Sequence, residues 1–181
     1  MNIIALSGSL RKDSLNTRLA NALAARAPDD VTIEVATCHG IPLYDGDLEA
    51  AEGIPNAVTE LRERIRAADA LIMITPEYNA GMPGVLKNAL DWLSRPPKEM
   101  HPTFRNRPTA LAGATPGGMG TTLAQAGSLV VLRQFKVLLF PDHLRVSRAH
   151  EALSEDGGVA EQTVETLDNW LGEFIAFARS R

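Results

Sequence analysis

The chain has 181 residues, 45% of them hydrophobic and 22% charged, with a formal net charge of -4. That length suits one domain over residues 1–181 with a core large enough to need neither disulfides nor structural metal, and the composition excludes disordered and fibrous classes. A negative balance also excludes nucleic acid as the main partner, because phosphate backbones are gripped by clustered Lys and Arg, and points to a small molecule instead.

In chain order, the first apolar run, Asn2 to Leu6, reads as a strand buried on both faces. It stops at Ser7-Gly8-Ser9 rather than extending into a secretory or membrane-spanning segment, so a cytoplasmic protein without membrane partner is expected. Leu15, Leu19 and Leu23 have helical spacing, and Val31 to Thr37 reads as the second strand. Cys38 is the single cysteine, with no mate for a disulfide, a redox dithiol or a zinc site, and reads as a small apolar residue. Val58, Leu61, Ile65 and Ala68 predict a second helix, and Ala70 to Thr75 a third strand. A third helix is expected from about Pro83, suited to a first helical turn, to Leu93. Thr109 to Ala114 predicts the fourth strand, Thr121 to Phe135 the fourth helix and Lys136 to Phe140 the fifth strand. After Gly157-Gly158, Val164, Leu167, Leu171, Phe174, Ile175 and Ala178 form the stripe of a last helix. His39, His101, His143 and His150 lack metal-ligand spacing, and no metal is expected.

Strict alternation of five strands with helices predicts an α/β fold, a doubly wound five-stranded parallel sheet with helices on both faces, for which we expect the order 2-1-3-4-5. In such sheets ligands sit beyond the carboxyl ends of the strands, near the point where the order reverses. The loops after strands 1, 3 and 4 are therefore the places to look.

The first of them, Ser7-Gly8-Ser9-Leu10-Arg11-Lys12-Asp13-Ser14-Leu15-Asn16, combines glycine, hydroxyl and amide side chains and two cations at a helix start. Unpaired N–H groups and the positive end of the helix dipole favour an anion there, hydroxyls donate to phosphate oxygens, and Arg11 adds a charged fork. The alternative is that Asp13 or Ser14 caps the helix while Arg11 and Lys12 lie in solvent. No Walker pattern and no Gly-x-Gly-x-x-Gly follow the first strand, which leaves a mononucleotide with a terminal phosphate. The second loop, Thr75-Pro76-Glu77-Tyr78-Asn79-Ala80-Gly81-Met82-Pro83-Gly84, reads either as a stacking platform with an amide for a ring's polar edge or as a rigid turn with Tyr78 half-buried. The third, Thr115-Pro116-Gly117-Gly118-Met119-Gly120-Thr121, has glycines that let backbone approach a ligand closely.

Three stretches carry a family resemblance: Gly8 to Asn16, Pro76-Glu77-Tyr78-Asn79-Ala80-Gly81-Met82-Pro83-Gly84-Val85-Leu86-Lys87-Asn88-Ala89-Leu90-Asp91-Trp92, and the glycine-rich turn after strand 4. On these the chain resembles the NADPH-dependent FMN reductases, a flavodoxin-like group that includes chromate and quinone reductases and some azoreductases. The resemblance implies a tightly bound FMN, with Ser9, Leu10, Arg11, Ser14, Leu15 and Asn16 around its phosphate, Pro76, Glu77, Tyr78 and Asn79 bordering the ring and ribityl chain, and Thr115, Gly117 and Gly118 completing the pocket. It implies hydride transfer from NAD(P)H through the flavin to a quinone, chromate, an azo or nitro compound or free flavin. No catalytic acid, base or nucleophile is required, since the cofactor carries the electron chemistry; Glu77 and Tyr78 are the candidates for a proton relay. It also implies a homodimer or homotetramer with the Leu86 to Trp92 helix at the interface. The plain alternative for that helix is a core Trp92 and an Lys87–Asp91 pair. Asp13 stands where the family often has Gly, and Gly81 replaces a frequent Ser.

Two other classes compete with this reading. An electron-carrier flavodoxin would normally be more acidic and bracket its flavin with more aromatic residues than Tyr78. A phosphatase of similar topology needs Cys-x₅-Arg, and counting from Cys38 places Tyr44 at the arginine position.

Overall fold

Residues 1–154 and 158–181 are described by a computed structural model. Gly157, expected ahead of the last helix, lies outside the described residues.

The uninterrupted apolar run of β1 (Asn2–Ser7) fits a strand covered on both faces, and all but its first residue are buried. It pairs in parallel with β2 (Thr32–Thr37), Asn2 opposite Thr32, and with β3 (Ala70–Ile74), Ile3 opposite Ala70. β3 pairs with β4 (Pro108–Ala114), Leu71 opposite Thr109. The order is β2-β1-β3-β4-β5, as expected.

The fifth position differs from the expected single strand. β5 is only Leu138–Leu139, beside Pro108 and Thr109, and β6 (Leu144–Val146) resumes beside Ala112 to Ala114. Pro141 lies between them, and proline cannot donate to a ladder, so the edge breaks there and the sheet has six strands.

Alternation along β1 divides the core between two faces. Ile3 and Ala5 pack with Leu19 and Leu23 of α1 (Leu15–Ala25) and with Leu167, Leu171 and Phe174 from the carboxyl-terminal helix, Glu161–Arg179. Trp170 joins the expected stripe, while Val164 is only partly buried. Ile4 and Leu6 pack with Val58, Leu61 and Ile65 of the helix Asn56–Ala67, with Leu86, Leu90 and Trp92 of the helix Gly84–Leu93, and with Leu132 and Phe135 of the helix Thr122–Phe135. Short helices at Gly46–Glu52, Met100–Phe104 and Ala149–Ala152 were not expected. Counting these, the helices are α2 (Gly46–Glu52), α3 (Asn56–Ala67), α4 (Gly84–Leu93), α5 (Met100–Phe104), α6 (Thr122–Phe135), α7 (Ala149–Ala152) and α8 (Glu161–Arg179). Among the described residues no helix is long and apolar enough to cross a membrane.

Candidate functional site

β1, β3 and β4 end side by side at Ser7, Ile74 and Ala114, so the loops that follow them meet at one edge of the sheet. Gly8 turns the chain out of β1, donating its N–H to the Ile74 carbonyl at 2.8 Å. A Cβ on Gly8 would stand 2.7 Å from Leu86 Cδ2 and 3.0 Å from Leu86 Cβ, so a larger residue would push the Leu86 side chain of α4 aside.

The start of α1 supplies donors. Ser14 is its N-cap, its Oγ accepting from Thr17 N–H at 3.3 Å; the cap is Ser14, not Asp13, which is exposed. Ser9 Oγ likewise accepts from Arg11 N–H at 3.3 Å. Ser9 and Ser14 are nearly buried, at 3% and 4% exposure, and in each the hydroxyl proton remains available. Among the described residues the main-chain N–H groups of Leu15 and Asn16 have no acceptor, as expected of a first helical turn, and neither Arg11 nor Lys12 has an ion-pair partner.

Asn16 is committed elsewhere. Its Nδ2 donates to the Ala114 carbonyl and its Oδ1 accepts from Ala114 N–H, both at 2.9 Å and buried. Its side chain thus fastens α1 to the end of β4, and what it offers an anion is its main-chain N–H. His39 braces the same loop from outside, Nε2 against the Leu10 carbonyl at 3.2 Å and Nδ1 against Thr37 Oγ1 at 2.8 Å.

The loop after β3 is a tight turn. Tyr78 and Gly81 exchange main-chain hydrogen bonds at 3.0 and 3.1 Å around Asn79 (φ 51) and Ala80 (φ 61), the two left-handed central residues of a type I′ turn. The Tyr78 side chain stands out from it, 48% exposed. Glu77 leans away, its Oε2 accepting from Leu123 N–H at 2.8 Å and Ala124 N–H at 3.0 Å in the first turn of α6. After β4, Thr115 N–H donates to the Val146 carbonyl, and the carbonyls of Gly117 and Gly118 accept from Arg148 N–H and Ser147 Oγ. A Cβ at Gly118 would meet nothing, and one at Gly117 only Thr115 Oγ1 at 3.9 Å, so the turn keeps an open face.

Between these loops lies a cavity of about 80 Å³ lined by Ser9, Arg11, Ser14, Leu15, Asn16, Pro76, Glu77, Tyr78 and Thr115, together with Ala114 and Pro116. Ala114 and Pro116 add to the expected residues and flank Thr115 in the chain. Leu10, Asn79, Gly117 and Gly118 belong to the same loops but stand outside the cavity's lining. A larger concavity of about 300 Å³, lined by Asn2, Thr32, Glu34 and Arg64, lies at the amino ends of the strands, where Glu34 already pairs with Arg64 at 2.7 Å. Burial pushes the Cys38 thiol up to about 12, so it stays protonated and is no nucleophile. Trp92 is fully buried and Lys87 pairs with Asp91 at 2.7 Å, as the plain alternative for that helix required.

The donor set fits a phosphate monoester carrying a flat ring: hydroxyl protons, free helix N–H groups and an unpaired guanidinium at one end, an exposed aromatic and an open glycine turn at the other. Comparison with known proteins agrees. Residues 1–151 match the sequence profile of the family described as NADPH-dependent FMN reductase. An NAD(P)H-dependent FMN reductase of Pseudomonas aeruginosa is 47% identical over 172 residues, 92% of this chain and 89% of that protein. A 2-hydroxy-1,4-benzoquinone reductase of a Burkholderia species is 34% identical over 189 residues, 100% of this chain and 98% of that protein. Among solved structures, a flavoenzyme NAD(P)H:(acceptor) oxidoreductase from Paracoccus denitrificans has a TM-score of 0.85 at 32% identity, covering 99% of this chain and 97% of that one.

Proposed function

The chain belongs to the NADPH-dependent FMN reductase family, and from that premise we propose that the cavity between its three loops seats FMN and that a quinone is the acceptor. The protein is an FMN-dependent oxidoreductase that draws on NAD(P)H. The observation that carries the site assignment is the convergence, beside the exposed Tyr78, of the Ser9 and Ser14 hydroxyls with the Leu15 and Asn16 N–H groups and the Arg11 guanidinium, none of the last three having a partner among the described residues.

When bound, FMN supplies the two-electron chemistry that links NAD(P)H to the acceptor. The chain's own residues bind and orient. Ser9, Ser14 and Arg11 would hold the phosphate with the first-turn amides of α1, Pro76 and Tyr78 would border the ring with Asn79 next to them in the same turn, and Thr115 would face it from the far side, beside the open turn of Gly117 and Gly118. Of the two candidates for a proton relay, Glu77 is engaged with α6 and is given no proton-transfer role. The relative named for 2-hydroxy-1,4-benzoquinone supports a quinone over chromate, azo compounds or free flavin.

We further propose a cytoplasmic homodimer or homotetramer. The exposed face of α4 carries Lys87 and Asp91, whereas α6 exposes Leu123 and Val130, so α6 offers the more apolar contact surface. Steady-state oxidation of NADPH by the FMN-loaded protein with a benzoquinone tests the reading. Saturable quinone-dependent turnover is expected; negligible turnover would contradict it and leave an electron carrier.

A further inference from the structure

Helix α6 starts in an unusual way. Thr121 at its N-cap has left-handed backbone (φ 60, ψ 31) and its side chain makes no capping bond. Thr121 Oγ1 instead takes a hydrogen bond from Gln125 Nε2 at 3.0 Å and presses on β4, where a Cβ at Gly113 would lie 1.8 Å from it. The first-turn amides of α6 need an acceptor from another part of the chain. Glu77 provides it: one carboxylate oxygen, Oε2, accepts from both Leu123 and Ala124. A negative charge at the positive end of a 14-residue helix strengthens both bonds.

The anchor lies one residue before the Tyr78–Gly81 turn. That turn contains Ala80 at φ 61, a conformation a non-glycine residue holds only when its surroundings enforce it. On the other side, α6 leads directly back into Gly117 to Gly120. Glu77 therefore ties the exposed aromatic to the open glycine turn across the mouth of the cavity.

We propose that Glu77 is a positioning residue that sets the gap between the Tyr78 turn and the glycine turn, and with it the affinity for the ring portion of the flavin. This rests on the FMN reading of the site, and it separates two parts of that site: Arg11 acts on the phosphate, Glu77 on the ring.

The test compares the full chain with Glu77→Ala and Glu77→Gln. Dissociation constants for FMN and for riboflavin are read well below the melting temperature, and amide exchange at Leu123, Ala124 and Gly81 is read without flavin. Glu77→Ala should weaken FMN and riboflavin by the same factor, about tenfold, as expected for loss of a charge-assisted pair of bonds. Glu77→Gln, which keeps an acceptor oxygen, should recover most of that loss. Exchange at Gly81 should quicken in Glu77→Ala along with Leu123 and Ala124, and the pH profile of turnover in Glu77→Gln should keep its shape. A lower melting temperature with unchanged flavin affinity and unchanged Gly81 exchange would overturn the proposal, as would a displaced pH profile in Glu77→Gln, which marks a proton relay. A wild-type chain that takes up neither flavin refutes the FMN reading itself; the exchange arm, which needs no flavin, keeps the two failures apart.

Discussion

Asn16 in the first turn of α1 and Ala114 at the end of β4 are joined by a reciprocal pair of hydrogen bonds, Nδ2 to carbonyl and N–H to Oδ1, both 2.9 Å long and buried. Residues 98 positions apart thus hold the phosphate loop against the glycine turn. Asn16→Ala leaves a buried N–H and carbonyl unpaired and should cost about 2 to 4 kcal/mol of folding free energy, measured by urea denaturation. Because the fixed loop also carries the anion site, FMN affinity should fall in the same variant. A loss below about 0.5 kcal/mol would contradict the role given to this pair.

Arg11 is exposed and has no ion-pair partner among the described residues, so its removal should barely affect stability. Arg11→Ala should weaken FMN by about tenfold or more while changing riboflavin less than about twofold, since only FMN carries the phosphate that the guanidinium would grip. Fluorescence titration with the two flavins decides it, and equal losses would refute the assignment.

Gly113 lies in β4 where no side chain fits. A Cβ there would fall 2.7 Å from the Thr75 carbonyl oxygen, a backbone atom that cannot yield without moving the loop after β3. Gly113→Ala should destabilise the fold by about 3 kcal/mol, toward the upper end for overpacking, and lower flavin affinity with it. Thermal and urea unfolding of the apo protein read the first effect.

The Arg66 guanidinium, 2.5 Å from Glu99 Oε2, holds that carboxyl below the usual carboxylate range. A carboxyl lowered by folding binds fewer protons in the native state, so its stabilisation is fully present above the unfolded value of about 4.3 and is lost as pH falls through the folded value. Melting temperatures taken from about pH 7 down to pH 3 should therefore fall more steeply for wild type than for Glu99→Gln. Parallel curves would show that the pair does not couple to folding.

Much of this architecture can be read from residue order. β1, β3 and β4 are apolar runs covered on both faces, and α3 and α8 carry continuous apolar stripes, so local pattern and tertiary burial agree. α2 buries no residue and so leaves no periodic signal, and Leu144-Arg145-Val146 is too short to stand out once Pro141 has broken the edge. The phosphate loop showed in its composition, because Ser9, Arg11 and Ser14 lie together in the chain. What Asn16 and Glu77 do was hidden, because their partners are backbone groups of Ala114, Leu123 and Ala124, and backbone groups carry no residue-type signature. Both residues read as ligand contacts, and both turn out to hold one loop to another.

The most direct test of the central claim is to titrate the apo chain with FMN, record the visible spectrum, and then add NADPH without oxygen. Saturable uptake of FMN followed by bleaching of its visible absorption is the predicted result. Failure to take up FMN would contradict the site, and uptake without bleaching by NADPH or NADH would contradict the reductase.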